Sequence, residues 1–193
     1  MSSTRRIGAE DSESRAALLD AAERLILTDG YAAVTSRKVA AEAGLKPQLV
    51  HYYFRTMDEL FVELFRRRAE DGLVRQAQVL ESPRPLRALW EFSNQPTGSA
   101  FAMEFAALAN HRKDIRAEIG RFAEALRAQQ LEIMTEVFER YAVDVTSYPA
   151  VTLLVLMTSV SRLLVMEERL GMSTGHAETR ALVERLIDQF EPS

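Results

Sequence analysis

Apolar residues recur at helical spacing along nearly the whole chain. Within residues 12–29, Leu18, Ala22, Leu25 and Ile26 fall at i, i+4, i+7 and i+8, the stripe of a core-facing helix. Gly30 stops that helix, and Tyr31 and Val34 follow as packing residues. Residues 35–54, TSRKVAAEAGLKPQLVHYYF, read as two short helices around a tight turn. A hydroxyl of Thr35 or Ser36 caps the first by accepting from an orphan backbone N–H. Val39, Ala40 and Ala43 share its inner face. Gly44 supplies the left-handed residue that ends it, and Leu45 plugs the corner. Pro47 opens the second helix at a position whose missing N–H costs nothing. Leu49 or Val50, then Tyr53 or Phe54, give that helix an apolar side.

The same period continues downstream. Thr56, with Glu59 three residues on, forms a capping box for a long helix over 57–80, with Leu60, Phe61 and Leu64 inward. Arg66, Arg67 and Arg68 on that helix read as a solvated basic face. Ser82-Pro83-Arg84-Pro85 breaks the chain. Helices are predicted over 86–92, 99–110, 112–141, 149–170 and 176–190, and the pattern gives no convincing strand. The fold class is all-α: an N-terminal three-helix head with a helix-turn-helix, then a larger helical domain. The boundaries are an arm at 1–11, a head at 12–56 and a C-terminal domain at 57–193. Arg5 and Arg6 in the arm either reach DNA or belong to a solvated tail.

Charge changes the picture locally. The 193-residue chain has a net charge of −4, yet residues 35–55 carry +3, from Arg37, Lys38, Lys46 and Arg55 against Glu42. Nucleic-acid binding, if present, is therefore confined to the two-helix unit. In such a unit the second helix enters the major groove with its N-terminal residues at base edges. Here that end holds Lys46, Pro47, Gln48, His51 and Tyr52. Spacing alone also fits an αα-hairpin with a solvated polar face. There is no cysteine, which removes disulfides, thiolate metal sites and Cys nucleophiles and fits a reducing cytoplasm. The N-terminus lacks a secretory pattern and no run of 18 apolar residues occurs, so no membrane span is expected.

Residues 14–65 resemble the DNA-binding region of TetR-family transcriptional regulators. The capped helix TSRKVAAEAG, the recognition helix KPQLVHYYF and the following DELFVELF carry the likeness. Two positions depart from the family pattern: Lys46 replaces the usual Ser or Thr cap, and Met57 stands where a lysine is frequent. The lost lysine removes one expected phosphate contact, which Arg55 can supply instead. On this reading Gln48 and His51 meet base edges, and Pro47 and Leu49 touch thymine methyls. Thr35, Ser36, Arg37, Lys46, Tyr52 and Arg55 hold phosphates.

The resemblance also implies a ligand cavity and a homodimer in the second half. Trp90, Phe101, Phe105, Phe122, Met134, Phe138 and Met157 are the expected lining of an apolar site, although such residues at helical spacing are more often plain core. Glu104, Asn110, His111 and Gln130 are polar groups able to orient a ligand. Val151, Leu154, Val155, Leu182, Leu186 and Phe190 give the last two helices more apolar surface than one internal face needs, and so form the expected dimer face.

Enzyme chemistry finds little footing. Gly171-Met172-Ser173-Thr174-Gly175 matches the nucleophile-elbow pattern but lies between helices rather than after a strand. His51, His111 and His176 show no metal-ligand spacing, so neither metal nor cofactor is expected. The expected function is a ligand-responsive DNA-binding regulator of the TetR type, not an enzyme. By the resemblance alone it is a repressor, acting as a homodimer on a near-palindromic operator and switched by a small apolar effector. The alternative is a helical small-molecule carrier or sequestering protein without DNA binding.

Overall fold

The computed structural model describes the backbone of residues 4–191, and the side chains of 13–191 other than Val79, Leu80 and Asp114. The side chains of Arg5 and Arg6 therefore lie outside the described residues. Among the described residues the chain is helical with no strand. The elements are α1 (Thr4–Asp29), a 3₁₀ turn (Tyr31–Ala33), α2 (Ser36–Glu42), α3 (Pro47–Tyr53), α4 (Met57–Leu80), α5 (Pro85–Ser93), α6 (Pro96–His111), α7 (Lys113–Arg140), α8 (Ala150–Arg169) and α9 (His176–Phe190). Helix α1 starts at Thr4, ahead of the predicted residue 12. Nothing in Arg5 to Asp11 is a helix breaker except Gly8, and one glycine costs only about 1 kcal/mol. Helix α6 starts at Pro96, ahead of the predicted residue 99, because proline fits a first-turn position.

The chain divides into two compact units. The first comprises the chain through Arg68 together with Phe101–Gly120; the second comprises Ala69–Ala100 and the chain from Arg121 on. Helices α4, α6 and α7 each contribute residues to both. The first unit is built around Leu18, Ile26, Val39, Val50, Phe54, Phe61 and Leu64, joined by Phe101, Phe105, Leu108 and Ile115 from far downstream.

The second unit has its own core, which includes Leu86, Trp90, Met134, Phe138, Leu154 and Ile187. A carboxylate near the C-terminus ties α9 to α5. Glu191, 1% exposed, accepts from the backbone N–H groups of Leu86 and Arg87, each at 3.0 Å. Those are first-turn donors of α5 with no partner inside the helix. Arg84 and Arg87 both donate to Asp188, at 2.6 and 2.7 Å.

Candidate nucleic-acid interface

The turn between α2 and α3 follows from its sequence. The Thr35 hydroxyl accepts from the Lys38 N–H at 3.3 Å, the N-cap of α2. Gly44 adopts φ +67°, and Leu45 donates to the Ala40 carbonyl at 2.8 Å, closing a Schellman-type end. Pro47 starts α3. Lys46 stands at the cap position, where its ammonium, having no acceptor, makes no cap bond to the first-turn N–H groups. At the exit the Thr56 hydroxyl accepts from Glu59 N–H at 3.1 Å, while the Glu59 carboxylate accepts from Arg55 N–H at 2.8 Å.

These constraints sort the two helices into faces. Val39, Ala40, Val50 and Phe54 are buried, and Leu45 and Leu49 pack half-buried against them. Thr35, Arg37, Lys46, Pro47, Gln48, His51, Tyr52 and Arg55 are exposed, and Ser36 is half-exposed. The structure thus leaves nearly all the predicted DNA-contacting residues open to solvent, on α2, on α3 and at the residues that bound them. Leu49 differs: its side chain turns toward the core, which leaves less of it for a thymine methyl.

Electrostatics favour a polyanion here. Among the described residues no carboxylate lies within ion-pair distance of Arg37, Lys46 or Arg55. The arginines of the flanking helices are used internally instead: Arg15 on Glu63, Arg67 on Asp20 and Glu23, and Arg68 on Glu23. Glu42, the one acid in the stretch, is held by Arg24 at 2.8 Å, which blunts its repulsion of phosphates. Lys38 has only a long pairing with Asp29, 3.8 Å.

In the second unit an apolar cavity of about 290 Å³ lies between α5, α7, α8 and α9. Met134, Phe138 and Met157, expected for a ligand, line it. So do Leu182, Leu186 and Phe190, expected for a dimer face, with Ile187 beside them in the apolar pattern of the last helix, and Leu86 and Leu156, which periodicity did not single out. Trp90 is buried in the second unit's core outside this lining, and Phe122 is half-buried elsewhere on α7. Phe101 and Phe105 are buried in the core of the first unit and do not line this cavity.

Of the polar groups expected to orient a ligand, the Glu104 carboxylate accepts from Tyr31 N–H and the Gln130 amide donates to Gln76, while the His111 ring stacks on Tyr31 and Asn110 is bonded through its backbone carbonyl, which accepts from Arg116.

Helix α8 exposes Val151, Val155, Leu156, Leu163 and Met166, while α9 exposes Leu182 and Leu186. Leu154, by contrast, is 1% exposed and lies with Leu164 in the second unit's core, so it belongs to the core and not to a surface. By length and composition α8 would suit a membrane span, with a mean hydropathy of 1.7 over a window only 22% buried. Gly171 and Gly175 are both left-handed residues of the α8–α9 turn, and Ser173 between them merely accepts from His176 N–H.

Residues 18–64 match the family described as bacterial regulatory proteins, tetR family. The chain is 26% identical over 129 residues to the HTH-type transcriptional regulator BetI of Rhizobium meliloti (strain 1021), covering 65% of this chain and 59% of that regulator's length. Among solved structures it resembles a Rhodococcus sp. protein described as a TetR-family transcriptional regulator (TM-score 0.70, 21% identity, 93% of this chain and 99% of that one). It also resembles the transcriptional regulator FadR of Bacillus subtilis, solved with stearoyl-CoA (TM-score 0.60, 16% identity, 89% and 96%). At these identities the structural likeness speaks for the fold.

Proposed function

From the premise that this chain belongs to the tetR family of bacterial regulatory proteins, we propose that it is a homodimeric repressor of transcription, switched by a small apolar effector. The family consists of DNA-binding transcription regulators. The observation that carries it is the exposed face of α3, where Gln48 and His51 stand clear of the core, together with exposed Lys46, Arg37 and Arg55, which have no ion-pair partner among the described residues. Gln48 reads an adenine edge, His51 a neighbouring base, and the cations and hydroxyls fix register on phosphates.

Two copies paired through α8 and α9 would place two α3 helices along one duplex, hence a near-palindromic operator. Support for that pairing comes from the apolar side chains that α8 and α9 expose. The cavity between α5, α7, α8 and α9 has a wholly apolar lining apart from Thr179, which fits an uncharged or weakly polar effector. Such an effector switches the protein only by binding one spacing of the two heads better than the other.

The test is a titration of the DNA upstream of the protein's own coding sequence, and of a randomised duplex pool, at several salt concentrations. Affinity should fall steeply with salt, one unit of log–log slope for about each phosphate neutralised. Absence of binding to any duplex at low salt would leave the carrier reading in its place. Native mass spectrometry of the purified protein should show a dimer retaining a small apolar molecule.

A further inference from the structure

Gly30 ends α1 with φ +80° and ψ 161°, a backbone that only glycine adopts readily. The 3₁₀ turn Tyr31–Ala33 follows at once, and no local side chain caps it. Its nearest acid, Asp29, pairs with Lys38. The first donor of the turn, Tyr31 N–H, is instead satisfied by the Oε2 of Glu104 at 2.9 Å, from a residue 73 positions downstream on α6. The fit is close: a Cβ added to Gly30 would stand 3.4 Å from that same oxygen. Two turns further along the same face of α6, the His111 ring stacks on the Tyr31 ring with centroids 6.3 Å apart. Between them Phe105 and Leu108 enter the core of the first unit. The turn held in this way leads through Val34, 7% exposed, to Thr35, the cap of α2.

We infer that Glu104 is a positioning residue for DNA recognition, its carboxylate fixing the α1–α2 turn and through it the placement of α2 and α3. The head as sequence delimits it lacks a part that α6 supplies. Glu104 touches no base or phosphate; it acts through Tyr31 and the start of α2. The inference rests on the DNA-binding reading above.

The experiment compares the wild type, Glu104→Ala and Glu104→Gln, each as full-length protein, on a duplex selected from a randomised pool by the wild type. Helix content and melting temperature are recorded in parallel, and binding is read well below the lowest melt. Losing one hydrogen bond to a charged acceptor should weaken Glu104→Ala about ten-fold. Because α2 and α3 then sit out of register, the log–log salt slope should also flatten by about one phosphate contact. Gln keeps an acceptor oxygen, so Glu104→Gln should return to within about three-fold of wild type with the full slope. Weaker binding with an unchanged slope would assign Glu104 to stability alone and overturn the inference. So would Glu104→Ala binding like wild type, or Glu104→Gln failing as badly as Glu104→Ala. Failure of the wild type itself to select any duplex would instead sink the DNA-binding reading.

Discussion

The two units are made from the same kind of amphipathic helix, yet they finish their surfaces differently. Among the described residues, seventeen hydrophobic residues of the first unit form one buried cluster, and in the second, larger unit the corresponding cluster holds nine. Among the described residues the first unit leaves one large hydrophobic side chain exposed, Tyr52 on α3, whereas Val151, Val155, Leu156, Leu163, Met166, Leu182 and Leu186 are all exposed in the second. A unit that closes its own core can present a polar face in fixed geometry. On the function proposed above, an effector or a second copy covers the apolar helix faces that the second unit leaves open.

The largest effect should come from spoiling the open faces. A carboxylate at Leu156 and Leu182 together would bury uncompensated charge in any α8–α9 contact, costing several kcal/mol. Leu156→Asp/Leu182→Asp should therefore run as a monomer by light scattering, weaken operator binding more than 100-fold, and keep its helical circular dichroism. A variant that still dimerises would place the subunit contact elsewhere and break the contrast drawn here.

The closed core predicts the next effect. Phe105 is 1% exposed and packed against Phe61, Phe65 and Phe101, the last stacked at 4.4 Å. Phe105→Ala should cost about 3–5 kcal/mol in chemical denaturation, the range for an aromatic cavity. Leu186→Ala, at a site 44% exposed, should cost the isolated subunit far less.

The head was legible in the sequence because each boundary carries its own local chemistry. Gly30, Thr35, Gly44, Pro47 and Thr56 each stop or start an element by a mechanism that acts within a few residues. What reached across the chain was not legible. Nothing near Tyr31 announces that its N–H waits for Glu104, and nothing near Leu86 announces Glu191, 105 positions away. Phase was the other gap. Helix α6 is apolar on most faces, so periodicity could not say which core Phe101 and Phe105 join; the structure puts both in the first unit. On α8 the run VTLLVLM offers apolar residues in every direction, so Leu154 and Val155 looked alike, although one is 1% and the other 40% exposed.

The join between α9 and α5 predicts a somewhat smaller loss. Glu191→Ala would strand the Leu86 N–H in a buried site and remove the cap of α5, for about 2–3 kcal/mol. Its neighbour Asp188 adds a pH dependence. Hydrogen bonds from Arg87 and then Arg84 hold its carboxyl below the ordinary aspartate range. A depressed folded-state value means the contribution is full at neutral pH and fades as pH falls from the ordinary range through the depressed one. Asp188 is well exposed, so the effect is small and screened by salt. Thermal melts of Asp188→Asn should show a shallower loss across that acid window than the wild type.

The smallest effect falls on the closed unit's outward face. Gln48 is exposed at the start of α3 and joins no core, so Gln48→Ala should leave the melting temperature unchanged. A bidentate amide on adenine is worth about 1–3 kcal/mol against the wrong base. Loss of that pair should relax preference at one position of each half-site, by roughly ten-fold, in a randomised-duplex selection. The salt slope should not move, because no phosphate contact is lost. That result would differ in kind from Glu104→Ala, which is expected to weaken all sequences and flatten the slope. If Gln48→Ala left preference intact at every base pair, base reading would pass to His51, one turn further along the exposed side of α3.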